Sequence, residues 1–98
     1  MKKFVFLYNS EPNAIPSDND MDIWMTWFTS IGASIVEMGN PFAAGMLVTS
    51  DSATVIPVEN NPISGYTVIK AADMDAAIAI AKTCPSQTGL QLYEAIEM

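Results

Sequence analysis

The stretch Gly65-Tyr66-Thr67-Val68-Ile69-Lys70-Ala71, followed by Ala72-Asp73-Met74-Asp75-Ala76-Ala77-Ile78-Ala79-Ile80-Ala81, decides the reading of the fold. Its first half is rich in β-branched and aromatic residues and follows the loop residues Asn60-Asn61-Pro62, which predicts a strand over 65–71. Its second half changes period. Met74, Ala77, Ile78 and Ala81 share one helical face, Asp73 stands in the N-cap position, and Cys84-Pro85 ends the helix. The alanines on that face let the helix lie close on a sheet. Downstream, Ser86 to Gly89 reads as loop, and Leu90 and Leu92 alternate with Gln91 and Tyr93 in a last strand, Leu90 to Ala95.

Upstream, Thr54 to Val58 is a short strand or hairpin arm, which Pro57 confines to an edge or a strand end. Ser50-Asp51-Ser52 turns the chain after a second strand over Ala44–Thr49, and Gly39-Asn40-Pro41-Phe42 is a turn by residue type. Before that turn, Trp24, Trp27, Phe28, Ile31 and Ile35 recur at three- and four-residue spacing, which predicts a helix from Met21 to near Gly39. Asp18 or Asp20 would cap it, Met21, Met25 and Met38 would widen its apolar stripe, and Gly32 would mark a close approach to the sheet. Asn9 to Asp20 reads as a loop, long for so small a domain, which favours a functional or mobile role. Lys3 to Tyr8 is apolar at every position after Lys3, as in a strand covered on both faces. Its apolar run is too short for a signal peptide.

The order is β-α-β-(β)-β-α-β within one domain, residues 1–98. This is an α+β, ferredoxin-like βαββαβ arrangement, with an antiparallel sheet and two helices on one face. Two helices leave the other face bare, yet Phe4, Phe6 and Tyr8 oppose Val5 and Leu7, and Met46 and Val48 oppose Leu47. An apolar second face predicts a homodimer packed sheet to sheet about a two-fold axis.

Composition removes several functions. The formal net charge is -7 and the isoelectric point is near 4.1, so a phosphate backbone is repelled and nucleic acid is not an expected partner. The only cations are Lys2, Lys3, Lys70 and Lys82. Arginine, with its bidentate fork for carboxylate and phosphate, is absent. Histidine, the usual general base and commonest metal ligand, is absent too. No apolar run approaches the roughly 20 residues that span a bilayer, so no membrane partner is expected. Cys84 is alone and cannot close a disulfide within the chain, which suits the reducing cytoplasm.

Candidate chemistry is sparse. Asp18, Asp20 and Asp22 resemble the start of a calcium loop, but Ile23 and Thr29 occupy the positions that need glycine and glutamate. Cys84 falls at a helix C-terminus, where the dipole does not favour a thiolate. Seven methionines without histidine make no metal site and read as core packing. Neither metal nor cofactor is expected. Lys70 would pair with Glu94 if it faced the sheet interior, and near a strand end it snorkels into water. Trp24 and Trp27 share a helix face: core packing is the plainer reading, and lining a pocket for a flat apolar ligand is the sharper one. Of the two, Trp24 is the expected pocket residue, because it lies nearer the long acidic loop. Tyr8, Tyr66 and Tyr93 place hydroxyls on strands.

Taken together, Lys3-Phe4-Val5-Phe6-Leu7-Tyr8, the Trp-x-x-Trp-Phe helix, Gly39-Asn40-Pro41-Phe42, Gly65-Tyr66-Thr67-Val68-Ile69, Ala72-Asp73-Met74-Asp75-Ala76-Ala77, Ala81-Lys82-Thr83-Cys84-Pro85 and Tyr93-Glu94 resemble the YCII-related family, which includes the DGPF-domain proteins. The resemblance covers nearly the whole chain and implies a ferredoxin-like fold paired into a dimeric α/β barrel. Some members carry a His and Asp pair proposed as an active site. Here Trp24 stands where that histidine would fall, and Val58-Glu59-Asn60-Asn61-Pro62-Ile63 replaces the Asp-Gly-Pro-Phe motif, so neither feature carries over.

Three functions remain. The first is a dimer that binds a small apolar or aromatic metabolite between the first helix and the sheet, with Trp24, Trp27, Asn40, Phe42, Tyr8 and Tyr66 as ligand-binding residues. The second is a cofactor-free enzyme that transfers protons through carboxylates and tyrosines, with Glu94, Asp51 and Tyr66 as its catalytic candidates. The third is a protein-interaction module without a pocket.

Overall fold

The structure is a computed structural model and describes residues 1–10, 20–57, 62–86 and 88–97. Its elements are β1 (Lys2–Asn9), α1 (Asp20–Ser30), a short 3-10 turn (Gly32–Ser34), β2 (Ile35–Glu37), β3 (Gly45–Val48), β4 (Ala53–Ile56), β5 (Ile63–Ala71), α2 (Met74–Ala81) and β6 (Leu90–Ala95). Four strands form an antiparallel sheet in the order β2-β5-β1-β6, and β3 and β4 pair with each other as a separate hairpin. Two helices with this antiparallel sheet make an α+β architecture compatible with a ferredoxin-like fold.

β1 occupies the interior of the sheet because it is apolar on both faces. Phe4 lies between Ile69 of β5 and Glu94 of β6, and Phe6 lies between Thr67 and Leu92. On the inner face Phe4, Phe6, Tyr8, Ile69 and Ala71 share one core with Trp27 and Ile31 from α1 and with Ala77 from α2. Both helices therefore pack on that face. The Trp27 ring stacks on Phe6 with centroids 6.3 Å apart. Its indole N–H donates to Thr83 Oγ1 at 2.7 Å, tying α1 to the segment after α2. The fully buried Ala77 lets α2 approach as its small side chain requires. Val5, Leu7, Tyr66 and Val68 are half-buried on the opposite, helix-free face.

The first helix is shorter than its apolar spacing predicts. It ends at Ser30 rather than near Gly39, and residues 35–37 form the edge strand of the main sheet. The Thr29 and Ser30 hydroxyls donate back to the Met25 and Trp27 carbonyls, as such side chains do where a helix frays. Ile35-Val36 is a β-branched pair that suits a strand. Ile31 and Ile35 both face the core, so their four-residue spacing crosses an element boundary without betraying it. Gly32 does not approach the sheet: a Cβ built there meets nothing within 4 Å. Because Ile35–Glu37 takes the place in the main sheet, the strand expected over Ala44–Thr49 stands outside it, as β3 of the hairpin.

The methionines also differ from expectation. All six described, Met1, Met21, Met25, Met38, Met46 and Met74, are between 39 and 90% exposed, so none packs the core. Asp20 is the first residue of α1. Asp18 and most of the expected Asn9–Asp20 loop lie outside the described residues, as do Asn60 and Asn61. Among the described residues no helix is long and apolar enough to cross a membrane.

Asp73 caps α2 as its position in the sequence predicts: its side chain accepts a hydrogen bond from the Ala76 amide at 2.9 Å. Replacing Asp73 with Ala orphans that amide and is expected to lower unfolding stability by about 1 kcal/mol. Denaturant titration of Asp73→Ala beside the parent chain measures this directly.

Candidate functional site

The bulged edge strand is the origin of the site. After Glu37 pairs with Val68, the chain next meets β5 where Pro41 bridges to Gly65. The register already shifts between Ile35 and Glu37, and three residues, Met38 to Asn40, then span a gap that β5 crosses in two; irregular edge pairing of this kind re-aims backbone and side chains beside functional sites. Phe42 N–H donates to the Ser64 carbonyl at 2.7 Å and Tyr66 N–H to the Asn40 carbonyl at 3.4 Å, holding the bulge against β5.

Two glycines permit this contact. Gly39 has φ +79, and a Cβ there would collide with the Tyr66 carbonyl. A Cβ on Gly65 would meet the Asn40 carbonyl at 3.0 Å and Pro41 Cα at 3.2 Å.

Between this bulge and α1 lies a cavity of about 270 Å³. Trp24 and Phe28 line it from the helix, and Met38 to Pro41 line it from the bulge. The sheet contributes Tyr8 at the end of β1 and Ser64 to Tyr66 at the start of β5. The Tyr8 and Trp24 rings meet nearly at right angles, 87° with centroids 5.3 Å apart, and Phe28 is tilted 37° to Trp24 at 5.9 Å. These rings make an aromatic corner.

Polar groups around the cavity are committed to one another. Tyr8 donates its hydroxyl to Thr67 Oγ1 at 2.7 Å, and Thr67 donates to the Met38 carbonyl at 2.8 Å. The Ser64 hydroxyl donates to the Tyr8 carbonyl at 3.4 Å. Tyr66 donates to Glu37 Oε1 at 2.7 Å, and that bond raises the Tyr66 phenol above its ordinary value while a side-chain hydrogen bond with Asn40 acts in the opposite sense. Burial pushes Tyr8 up to about 12; its bond to Thr67 opposes the rise and the nearby Cys84 adds to it. Both phenols are neutral at physiological pH.

The residues expected to bind ligand divide. Tyr8, Trp24, Asn40 and Tyr66 meet at the cavity. Trp27 is only 5% exposed and belongs to the core. Phe42 stacks on Tyr66, with centroids 5.6 Å apart, and lines a second, more open depression at the base of the hairpin. Phe28, Met38 and the two glycines complete the cavity wall, and Glu37 joins it through Tyr66. Gly39 beside a proline turn, and Gly65 at the head of a strand, were the signals for a close backbone approach.

The three catalytic candidates do not converge. Asp51 sits in the exposed turn between β3 and β4. Glu94 lies opposite Phe4, where Lys2 Nζ stands 3.9 Å from its carboxylate, and Tyr66 lies opposite Leu7 three residues along β1. Lys70 is exposed on the helix-free face, opposite Lys3. Among the described residues no three acidic or thiol side chains gather as metal ligands. No protein-family model matches the chain, and no match is found among curated proteins.

The buried Tyr8 phenol gives the fold a defined alkaline limit. Below pH 10 the phenol is neutral in both folded and unfolded chains; between 10 and about 12 the unfolded chain loses a proton that the folded chain keeps. Stability should fall across that window by up to roughly 1.4 kcal/mol per pH unit from this group. Unfolding curves from pH 9 to 12 are expected to show a clearly shallower decline for Tyr8→Phe than for the parent chain.

Proposed function

We propose that this chain is a YCII-related small-molecule-binding protein that works as a homodimer in the cytoplasm. It holds a small apolar or aromatic metabolite in the cavity between α1 and the sheet. The lining of that cavity carries the reading: about 270 Å³ walled by Trp24, Phe28, Tyr8 and Met38, with few polar groups. Benzene fills an engineered cavity of about 150 Å³, so there is room for one substituted ring. Gly39-Asn40-Pro41 and Gly65-Tyr66, parts of two motifs that carry the family resemblance, meet at this wall. A proton-transfer enzyme draws no comparable support, because Glu94, Asp51 and Tyr66 stand apart.

Exposed apolar surface supports the dimer. Met46, Leu47, Val48 and Val55 are between 51 and 68% exposed on a hairpin that pairs with no other described strand. A lone two-stranded hairpin is marginal in water. The arrangement proposed is a dimeric α/β barrel, closed by the helix-free sheet faces. A sequence with one cysteine fits a reducing compartment.

Light scattering at micromolar concentration is expected to return twice the chain mass of 10.6 kDa; a value near the single-chain mass would remove the dimer. Calorimetric titration with single-ring aromatic compounds should show binding that Trp24→Ala abolishes at a small stability cost. Trp27→Ala should instead lower stability by about 3–5 kcal/mol, as for a core indole. Equal, large losses in both variants would make the pair plain core and remove the ligand site.

A further inference from the structure

The cavity's chemistry narrows its occupant beyond size and apolarity. None of the four lysines lines it, and the chain has neither arginine nor histidine, so nothing on its wall neutralises an anion. A ligand that needs hydrogen-bond donors also fares poorly. The Tyr8 hydroxyl is committed to Thr67, the Ser64 hydroxyl to the Tyr8 carbonyl and the Tyr66 hydroxyl to Glu37, and the side-chain amide of Asn40, also on the wall, is bonded to Tyr66. The wall offers aromatic surface instead: Tyr8, Trp24 and Phe28 all line it, with Tyr8 and Trp24 packed edge to face at 87° and Phe28 inclined beside Trp24.

From this lining we infer that the cavity selects an organic cation, a small quaternary or alkylated ammonium, over a neutral molecule of the same shape. A soft cation is attracted to ring faces by their quadrupoles, most strongly to tryptophan, and the attraction grows as water is excluded. The surroundings act in the same direction. The formal net charge of -7 concentrates cations around the whole molecule. A quaternary ammonium asks for no hydrogen-bond partner, which matches a wall whose hydroxyls are already engaged.

This inference rests on the ligand-binding reading of the same cavity, and the test separates the two. The full-length chain is titrated calorimetrically with choline and with the neutral alcohol in which a tert-butyl group replaces the trimethylammonium. The two probes share shape and hydroxyl and differ in charge. Choline is expected to bind at least tenfold more tightly. Trp24→Ala should abolish that binding, and Trp24→Phe, which keeps a ring and most of the packing, should weaken choline severalfold while changing the neutral alcohol little. Choline binding no tighter than its neutral counterpart overturns the inference; if single-ring aromatics still bind, the small-molecule reading stands without it. A choline preference that survives Trp24→Phe undiminished places the cation elsewhere on the acidic surface and overturns it as well. If neither probe nor any single-ring aromatic binds, both readings fall together.

Discussion

A single buried hydroxyl organises the end of the molecule that carries the cavity. Thr67 is fully buried, and apart from the aromatic residues it is the only polar side chain that is buried among the described residues. A hydroxyl withdrawn from water is costly unless it finds partners. Thr67 finds two: it accepts from Tyr8 on the neighbouring strand and donates to the Met38 carbonyl on the bulge. The first bond fixes where the Tyr8 ring stands, and the second fixes the backbone of β2 where it leaves regular pairing. Both are walls of the same cavity. Its shape therefore depends on hydrogen bonds made behind it, in the core.

Glycine supplies the other half of that arrangement. The bulge lies against β5 only because neither Gly39 nor Gly65 has a side chain to hold the backbones apart, and Gly39 also takes a positive φ. The bulge then faces α1 across the cavity, whose helix side is lined by Trp24 and Phe28. Trp27, three residues from Trp24, turns instead onto Phe6 and anchors to Thr83. One helix thus anchors the core with one indole and forms the cavity wall with the other.

The regular parts of the fold were open to reading in the sequence, and the irregular edge was not. β5 and α2 announce themselves through a change of period and an aspartate in the cap position, and β1 through an unbroken apolar run. β2 hides because Ile31 and Ile35 keep a four-residue spacing that a helix would also produce, although a 3-10 turn separates them. Tertiary pairing with Ile69 decides the matter, and pairing of that kind leaves no periodic trace over three residues. At the site, aromatic and turn residues were visible as candidates. The assignment of Trp24 rather than Trp27 to the cavity rested on its place in the chain, nearer the acidic stretch before α1, because a 60° offset on a helix puts both indoles near one face and does not separate them. The link from Tyr66 to Glu37 depends on that same unrecognised strand.

The exposed methionines and the hairpin share a cause with the compact core. Half of the residues are hydrophobic, yet the inner face of the sheet is filled by a few large side chains, Phe4, Phe6, Tyr8, Trp27, Ile31 and Ile69. Two helices of eleven and eight residues cover that face and no more. The remaining apolar residues stay exposed: Met21, Ile23 and Met25 on α1, Leu47, Val48 and Val55 on the hairpin. Methionine tolerates such a position better than a branched side chain, because its flexible thioether adapts to whatever packs against it. A composition this apolar on a domain this small thus leaves contiguous apolar side chains in water, the surface that the proposed association would cover.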